Sequence, residues 1–160
     1  MTIRNDEIAD ALDKIATLLE IDDASPFRIR AYKNAADSIR LLDPPLAEMV
    51  AEGKDLTELQ DVGAGIAKKI EEIVALGHAA FVERLGKEGS PGIFDLLRIP
   101  GIGPKRVRAL RDRLGVTSIE SLKAAAQDGR LREVPGFGEK TQERILRRIA
   151  RIEERQGPGE

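Results

Sequence analysis

The stretches Leu97-Arg98-Ile99-Pro100-Gly101-Ile102-Gly103-Pro104-Lys105 and Val134-Pro135-Gly136-Phe137-Gly138-Glu139-Lys140 decide the fold. Each sets an apolar residue before a Gly-x-Gly turn and a run of helical periodicity after it. The first glycine of each turn admits a backbone conformation that a Cβ would forbid, so the chain can reverse sharply between two helices. The second leaves no side chain where the backbone would approach a ligand. The helix that follows presents unpaired N–H groups and the positive end of its dipole, a combination suited to phosphate. Ile102 and Phe137, between the glycines, are expected to turn inward and anchor each loop to the core.

A third copy lies upstream, at Leu59-Gln60-Asp61-Val62-Gly63-Ala64-Gly65. The second glycine position falls at Gly63, Gly103 and Gly138, and this repeat is the most informative feature of the chain. In the first copy Asp61 replaces the leading glycine and places a negative charge where a phosphate would approach. Either that hairpin is structural, or Asp61 points away and Gly63 and Gly65 still serve. No strand precedes any of the three turns, which argues against a dinucleotide site.

Outward from the hairpins the pattern is helical throughout. Asn5 or Asp6 is expected to cap a helix with Ile8, Leu12, Ile15 and Leu19 on one face. Ser25-Pro26 starts a second, carrying Phe27, Ile29, Tyr32, Ala35, Ala36 and Ile39, and Pro44-Pro45 stops its pattern. A short helix from about Pro45 ends at Gly53, and the helix after the first hairpin closes at Gly77. Phe81, Val82 and Leu85 predict a short helix ended by Gly86 and Gly89, and Ser90-Pro91 opens the next. Thr117 with Glu120 reads as a capping box for a helix through Ala126. A long helix runs from Glu139 to about Glu154.

The expected fold is therefore all-α, with two small helical domains built around helix-hairpin-helix motifs. The first spans residues 1–86, with a degenerate hairpin, and the second spans 90–152, with two hairpins. Residues 153–160 read as a flexible tail.

Composition agrees with this reading. Aromatics are only 3% of the chain, so the helices must pack through aliphatic side chains. Cysteine is absent, which excludes disulfides and thiolate metal sites and suits a reducing cytoplasm. No apolar run approaches the ~18 residues of a membrane span, and the N-terminus lacks a secretory pattern, so a cytoplasmic, nucleoid-associated setting is expected. The net charge of -2 conceals a division. Residues 1–97 hold 11 Lys and Arg against 19 Asp and Glu, whereas residues 98–151 hold 14 against 6. A basic half carrying two phosphate-type hairpins points to DNA held through its backbone, without sequence readout. The expected phosphate ligands are Gly101, Gly103, Lys105, Arg106, Gly136, Gly138 and Lys140. Arg108, Arg144, Arg147 and Arg148 lie close enough in sequence to add contacts.

Taken in order, these motifs resemble the N-terminal part of a bacterial or archaeal family X DNA polymerase. Ser25-Pro26-Phe27-Arg28-Ile29-Arg30-Ala31-Tyr32-Lys33-Asn34-Ala35-Ala36 is similar to that family's Phe-Arg-x-x-Ala-Tyr-x-x-Ala-Ala segment. The two Gly-x-Gly stretches match its later hairpins in order and spacing. The resemblance implies a lyase-type domain up to about Gly86 and a DNA-binding fingers or thumb region over residues 90–150. No Gly-Ser-x-Arg-Arg and no Asp-x-Asp pair follows, so polymerase activity is not expected from this chain.

The resemblance also implies a lyase nucleophile at Lys69, with Gly63, Gly65, Arg28 and Tyr32 around a 5′-phosphate. That chemistry needs a neutral amine to form a Schiff base. Glu71 and Glu72 within one turn favour the charged form, and Gly65 and Phe27 stand where lyase-active relatives have Lys and His. Similar hairpins hold a monovalent cation, which would place Na⁺ or K⁺ at the turn carbonyls of Ile99, Gly101, Val134 and Gly136. No other cofactor is required. The expected partner is DNA, whether gapped, nicked or duplex, with repair at gaps or strand ends as the setting. Two alternatives are an abasic-site lyase using Lys69 and a DNA-tethered module whose acidic N-terminal half docks a protein. His78 follows a helix-ending glycine and is expected at the surface, with no second His for a metal pair.

Overall fold

The computed structural model describes residues 2–88 and 92–156. Among them there are helices and no strands, and the chain divides into two compact units, Met1–Lys87 and Glu88–Glu160. Ser90 and Pro91, expected to open a helix, and the 157–160 end of the expected tail lie outside the described residues.

In the first unit, α1 (Asn5–Ile21) packs mainly on α2 (Pro26–Arg40), with α3 (Leu46–Ala51), α4 (Ala64–Leu76) and α5 (His78–Glu88) completing it. The apolar stripe of α1 is buried at Ile8, Leu12 and Ile15 and meets Tyr32, Ala35, Ala36 and Ile39 of α2 in the core. Ser25 and Pro26 start α2 as the sequence predicts. Phe27, read as part of the apolar pattern, is 84% exposed instead, because the first turn of α2 extends beyond the face that α1 covers.

Asn5 does not cap α1. Arg4 is the N-cap, and the Asn5 amide donates to the carbonyls of Leu42 (3.1 Å) and Pro44 (2.9 Å) and accepts from the Leu46 amide (2.8 Å). One side chain thus satisfies three polar groups in the connection from α2 to α3, groups that no helix could serve.

Gly86 does not end α5, which continues to Glu88. Gly86 lies in the last turn of that helix, where a glycine costs only about 1 kcal/mol. His78 is half-buried, with Nε2 2.6 Å from an Asp10 oxygen that also accepts from Lys14 Nζ at 3.1 Å. Partial burial raises the Asp10 carboxyl, but the hydrogen bonds from His78 and Lys14 together prevail and hold it below the ordinary carboxylate range.

The second unit contains α6 (Ile93–Leu97), α7 (Pro104–Leu114), α8 (Ile119–Gln127) and α9 (Glu139–Gln156). Residues 153–156, expected in the tail, are the last turn of α9. The buried apolar side chains are aliphatic apart from Phe137 and include Leu96, Ile99, Leu110, Leu122, Leu131 and Ile149, with Gln142 buried beside them. Gly115 closes α7 in the left-handed region at φ 68°, with its N–H on the Arg111 carbonyl (2.9 Å).

The capping box of α8 is one residue later than the sequence suggests. Ser118 Oγ accepts from the Ser121 amide, and Ser121 Oγ accepts from the Ser118 and Thr117 amides. Glu120 takes no part, since a serine hydroxyl both accepts and donates from the position that the reciprocal bond requires. Gly92, at φ 96°, faces this corner. A Cβ there would lie 2.8 Å from the Thr117 carbonyl oxygen.

Candidate nucleic-acid interface

The three hairpins share one backbone register. The amides of Val62, Ile102 and Phe137 donate to the carbonyls of Leu59, Ile99 and Val134 at 3.2, 3.0 and 3.1 Å. The amides of Ala67, Val107 and Gln142 then start the following helices by donating to Gly63, Gly103 and Gly138 at 2.9, 3.0 and 3.0 Å. Val62, Ile102 and Phe137 are all buried, so the residue between the two turn positions anchors every copy.

At the first turn position the backbone is left-handed in each case, with φ of 66° at Asp61, 92° at Gly101 and 90° at Gly136. At the second position the requirement differs. Gly63 and Gly103 have ordinary extended backbone, and a Cβ at Gly63, Gly103 or Gly138 would meet nothing within 4 Å. Neither conformation nor internal packing demands glycine there. What a side chain would obstruct is approach from outside to the first-turn amides, which no side chain caps in α4 or α7.

The side chains around these turns divide the hairpins. Lys105 and Lys140 occupy the same place, two residues after the second glycine, and both are exposed without a carboxylate partner among the described residues. The first hairpin has Gly65 at that place. The Asp61 carboxylate accepts from the Ser38 hydroxyl of α2, so it is drawn sideways against the body of the first unit.

Lys69 is bound to Glu72 (3.3 Å), a carboxylate that also holds Arg84 (3.2 Å). Tyr32 is in the core, while Arg28 is exposed. In the second unit Arg108 pairs along its own helix with Asp112 at 3.6 Å, whereas Arg144 and Arg147 are exposed on α9.

Arg106 takes a position that the sequence does not suggest. Its Nη1 donates to the Gly101 carbonyl at 2.8 Å, and its guanidinium carbon lies 5.3 Å from the centroid of the Phe137 ring. The fit of a monovalent ion to the turn carbonyls therefore differs between hairpins. In the second, the Gly101 oxygen already holds a cationic group. In the third, Val134 and Gly136 remain as candidate ligands and would supply a neutral oxygen pair to the ion. Among the described residues no group of three or more His, Cys, Asp or Glu could hold a metal.

Comparison with known proteins agrees with this repeat. A family described as a helix-hairpin-helix domain matches residues 3–79, and one described as a SAM-like helix-hairpin-helix tandem matches residues 93–151. The chain carries helix-hairpin-helix domains in both regions. It is 34% identical over 143 residues to the DNA polymerase/3'-5' exonuclease PolX of Bacillus subtilis (strain 168), a match covering 89% of this chain and 24% of the relative. The family X resemblance thus extends along nearly the whole of this chain. It is also 32% identical over 91 residues to the Holliday junction branch migration complex subunit RuvA of Pseudomonas fluorescens (strain SBW25), covering 57% of this chain and 45% of that one. With RuvA of Acidovorax sp. (strain JS42) it shares 36% over 52 residues, or 32% of this chain and 27% of the relative. The chain therefore spans about a quarter to under a half of these relatives. No helix among the described residues is long and apolar enough to cross a membrane.

Proposed function

We propose that this protein binds DNA without reading its sequence, through the backbone phosphates, and that the second and third hairpins are its grip. One observation carries this reading. Gly103 and Gly138 are glycines that the protein's own packing does not need, each at the start of a helix and each followed by an unpartnered lysine. A glycine at the helix start and a flexible cation at matching places in two hairpins, with the first-turn amides of α7 uncapped, suit successive phosphates of a strand. The similarity to a DNA polymerase and to a Holliday junction subunit supports the same reading.

The setting we propose is repair at gaps or strand ends, in the cytoplasm. The binding reading draws on neither Lys69 nor the first hairpin. The test is affinity for a gapped duplex with a 5′-phosphate and for an intact duplex, across a salt series. With about four phosphates engaged, log affinity falls against log salt with a slope near 3.6 in magnitude. Preference for the gap supports the repair setting, and equal affinity leaves a general backbone binder. Absence of binding at low salt removes the proposal.

A further inference from the structure

The Arg106 guanidinium lies between two hairpins. On one side Nη1 donates to the Gly101 carbonyl at 2.8 Å. On the other, the guanidinium stands over the Phe137 ring, and a Cβ placed on Gly136 would lie 3.7 Å from Nη2 and 3.9 Å from Nε. One planar cation thus bonds the leading glycine of the second turn, lies over the aromatic anchor of the third, and occupies the space beside the Cβ position of Gly136. Gly101 and Gly136 are both left-handed, and a Cβ on either would make only ordinary van der Waals contact with the guanidinium. The third hairpin has Thr141 at the place equivalent to Arg106, so the arrangement is not repeated there.

We infer that Arg106 is a positioning residue, an internal cation that neutralises the carbonyl end of the second turn and fixes it against the third hairpin in place of a bound monovalent ion. A guanidinium suits this role because its charge is permanent, its planar fork meets a carbonyl at the edge, and its face stacks on an aromatic ring. A mobile ion would have to be captured from solution and would hold only one turn. Arg106 is covalently supplied and joins two. The spacing of the two phosphate grips is then set by the protein, whatever ions surround it.

The melting arm of the test is independent of the DNA reading, and only the binding arm rests on it. Thermal melting of the full chain is compared in K⁺, Na⁺ and tetramethylammonium chloride at equal ionic strength, with duplex affinity measured in the same buffers. Any wild-type response to K⁺ or Na⁺ belongs to the carbonyls of the third hairpin, so the quantity compared is the added ion response of the Arg106→Ala protein. In tetramethylammonium, Arg106→Ala should melt about 5 °C lower and bind about tenfold more weakly. K⁺, Na⁺ or millimolar guanidinium should restore part of both losses, which a simple loss of packing would not allow. Should Arg106→Ala fail to fold, Arg106→Lys keeps a charge without the planar fork and is expected to show the same ion response at smaller size. An Arg106→Ala ion response no larger than the wild type's would overturn the inference. So would an Arg106→Ala loss that no small cation relieves, or no loss at all. If the wild type binds no DNA in any salt, the functional proposal fails while the melting arm still decides the role of Arg106.

Discussion

The first hairpin and the two later ones share backbone register, buried anchor and left-handed turn, yet they present different chemistry to solvent. In the second and third, glycine supplies the turn without strain, and two places past the second glycine stands an exposed lysine with no carboxylate partner among the described residues. In the first, Asp61 holds the same φ at a cost of order 1 kcal/mol, which its bond from Ser38 helps to offset. Gly65 leaves no cation where Lys105 and Lys140 stand, and the nearby lysine, Lys69, is bound to Glu72. A helix-hairpin-helix is therefore a way of folding before it is a way of binding. The anchor residue and turn geometry make the motif, and the residues two and three places past the second glycine decide what it can hold.

The strongest way to disturb this comparison is to break one unit alone. Gly92→Ala combines a left-handed backbone with a Cβ 2.8 Å from the Thr117 oxygen, and should destabilise the second unit by about 3 kcal/mol. Hydrogen exchange should show lost protection in residues 92–156 and retained protection in α1 and α2. Loss spread over both units would mean that their stabilities are coupled.

Next in size are the lysines. Lys105→Ala and Lys140→Ala should each weaken duplex affinity about tenfold and reduce the salt slope by about 0.9. Lys69→Ala, whose ammonium is already engaged by Glu72, should change neither. An equal effect from all three would make the first hairpin a full participant in binding.

The converse change sharpens the contrast. Gly65 has open space around it, so Gly65→Lys should fold normally and place a cation where the later hairpins have theirs. If the first hairpin differs from them only in its side chains, the salt slope should steepen by about 0.9. No change would show that the acidic surroundings of Asp61 still exclude phosphate.

The smallest effect concerns the acid limb of stability in the first unit. Asp10 titrates lower in the folded chain than in the unfolded one. Its contribution is therefore present above the unfolded carboxyl value and is lost as pH falls through the folded one, below about pH 4. Asp10→Asn should flatten the acid unfolding curve in that window and leave the second unit unaffected.

The sequence by itself determined the features that depend on single residues and their spacing. The 3.6-residue apolar period marks the helices, and a proline start marks α2. The repeated Gly-x-Gly, with its apolar neighbours, foretold three turns of one kind and the inward anchors Ile102 and Phe137. These are local because a glycine's permitted φ and the period of a helix need no knowledge of distant partners. Helix boundaries were less legible. The Ser118–Ser121 box displaced the expected Thr117–Glu120 pair by one residue, and α5 runs on past Gly86 to Glu88.

Only the tertiary structure decided which groups are taken and which remain free. Ser38 is 23 residues from Asp61, Gly92 meets a corner at Thr117 and Ser118, and Arg106 reaches Phe137 in the next hairpin. None of these pairs has a signature in the chain, because each arises when packing brings separate elements together. Charge and residue type could nominate Arg106 and Lys105 as phosphate ligands and, with the resemblance, Lys69 as a nucleophile. Their neighbours separate them. A carboxylate holds Lys69, a carbonyl and an aromatic ring hold Arg106, and Lys105 is left to solvent.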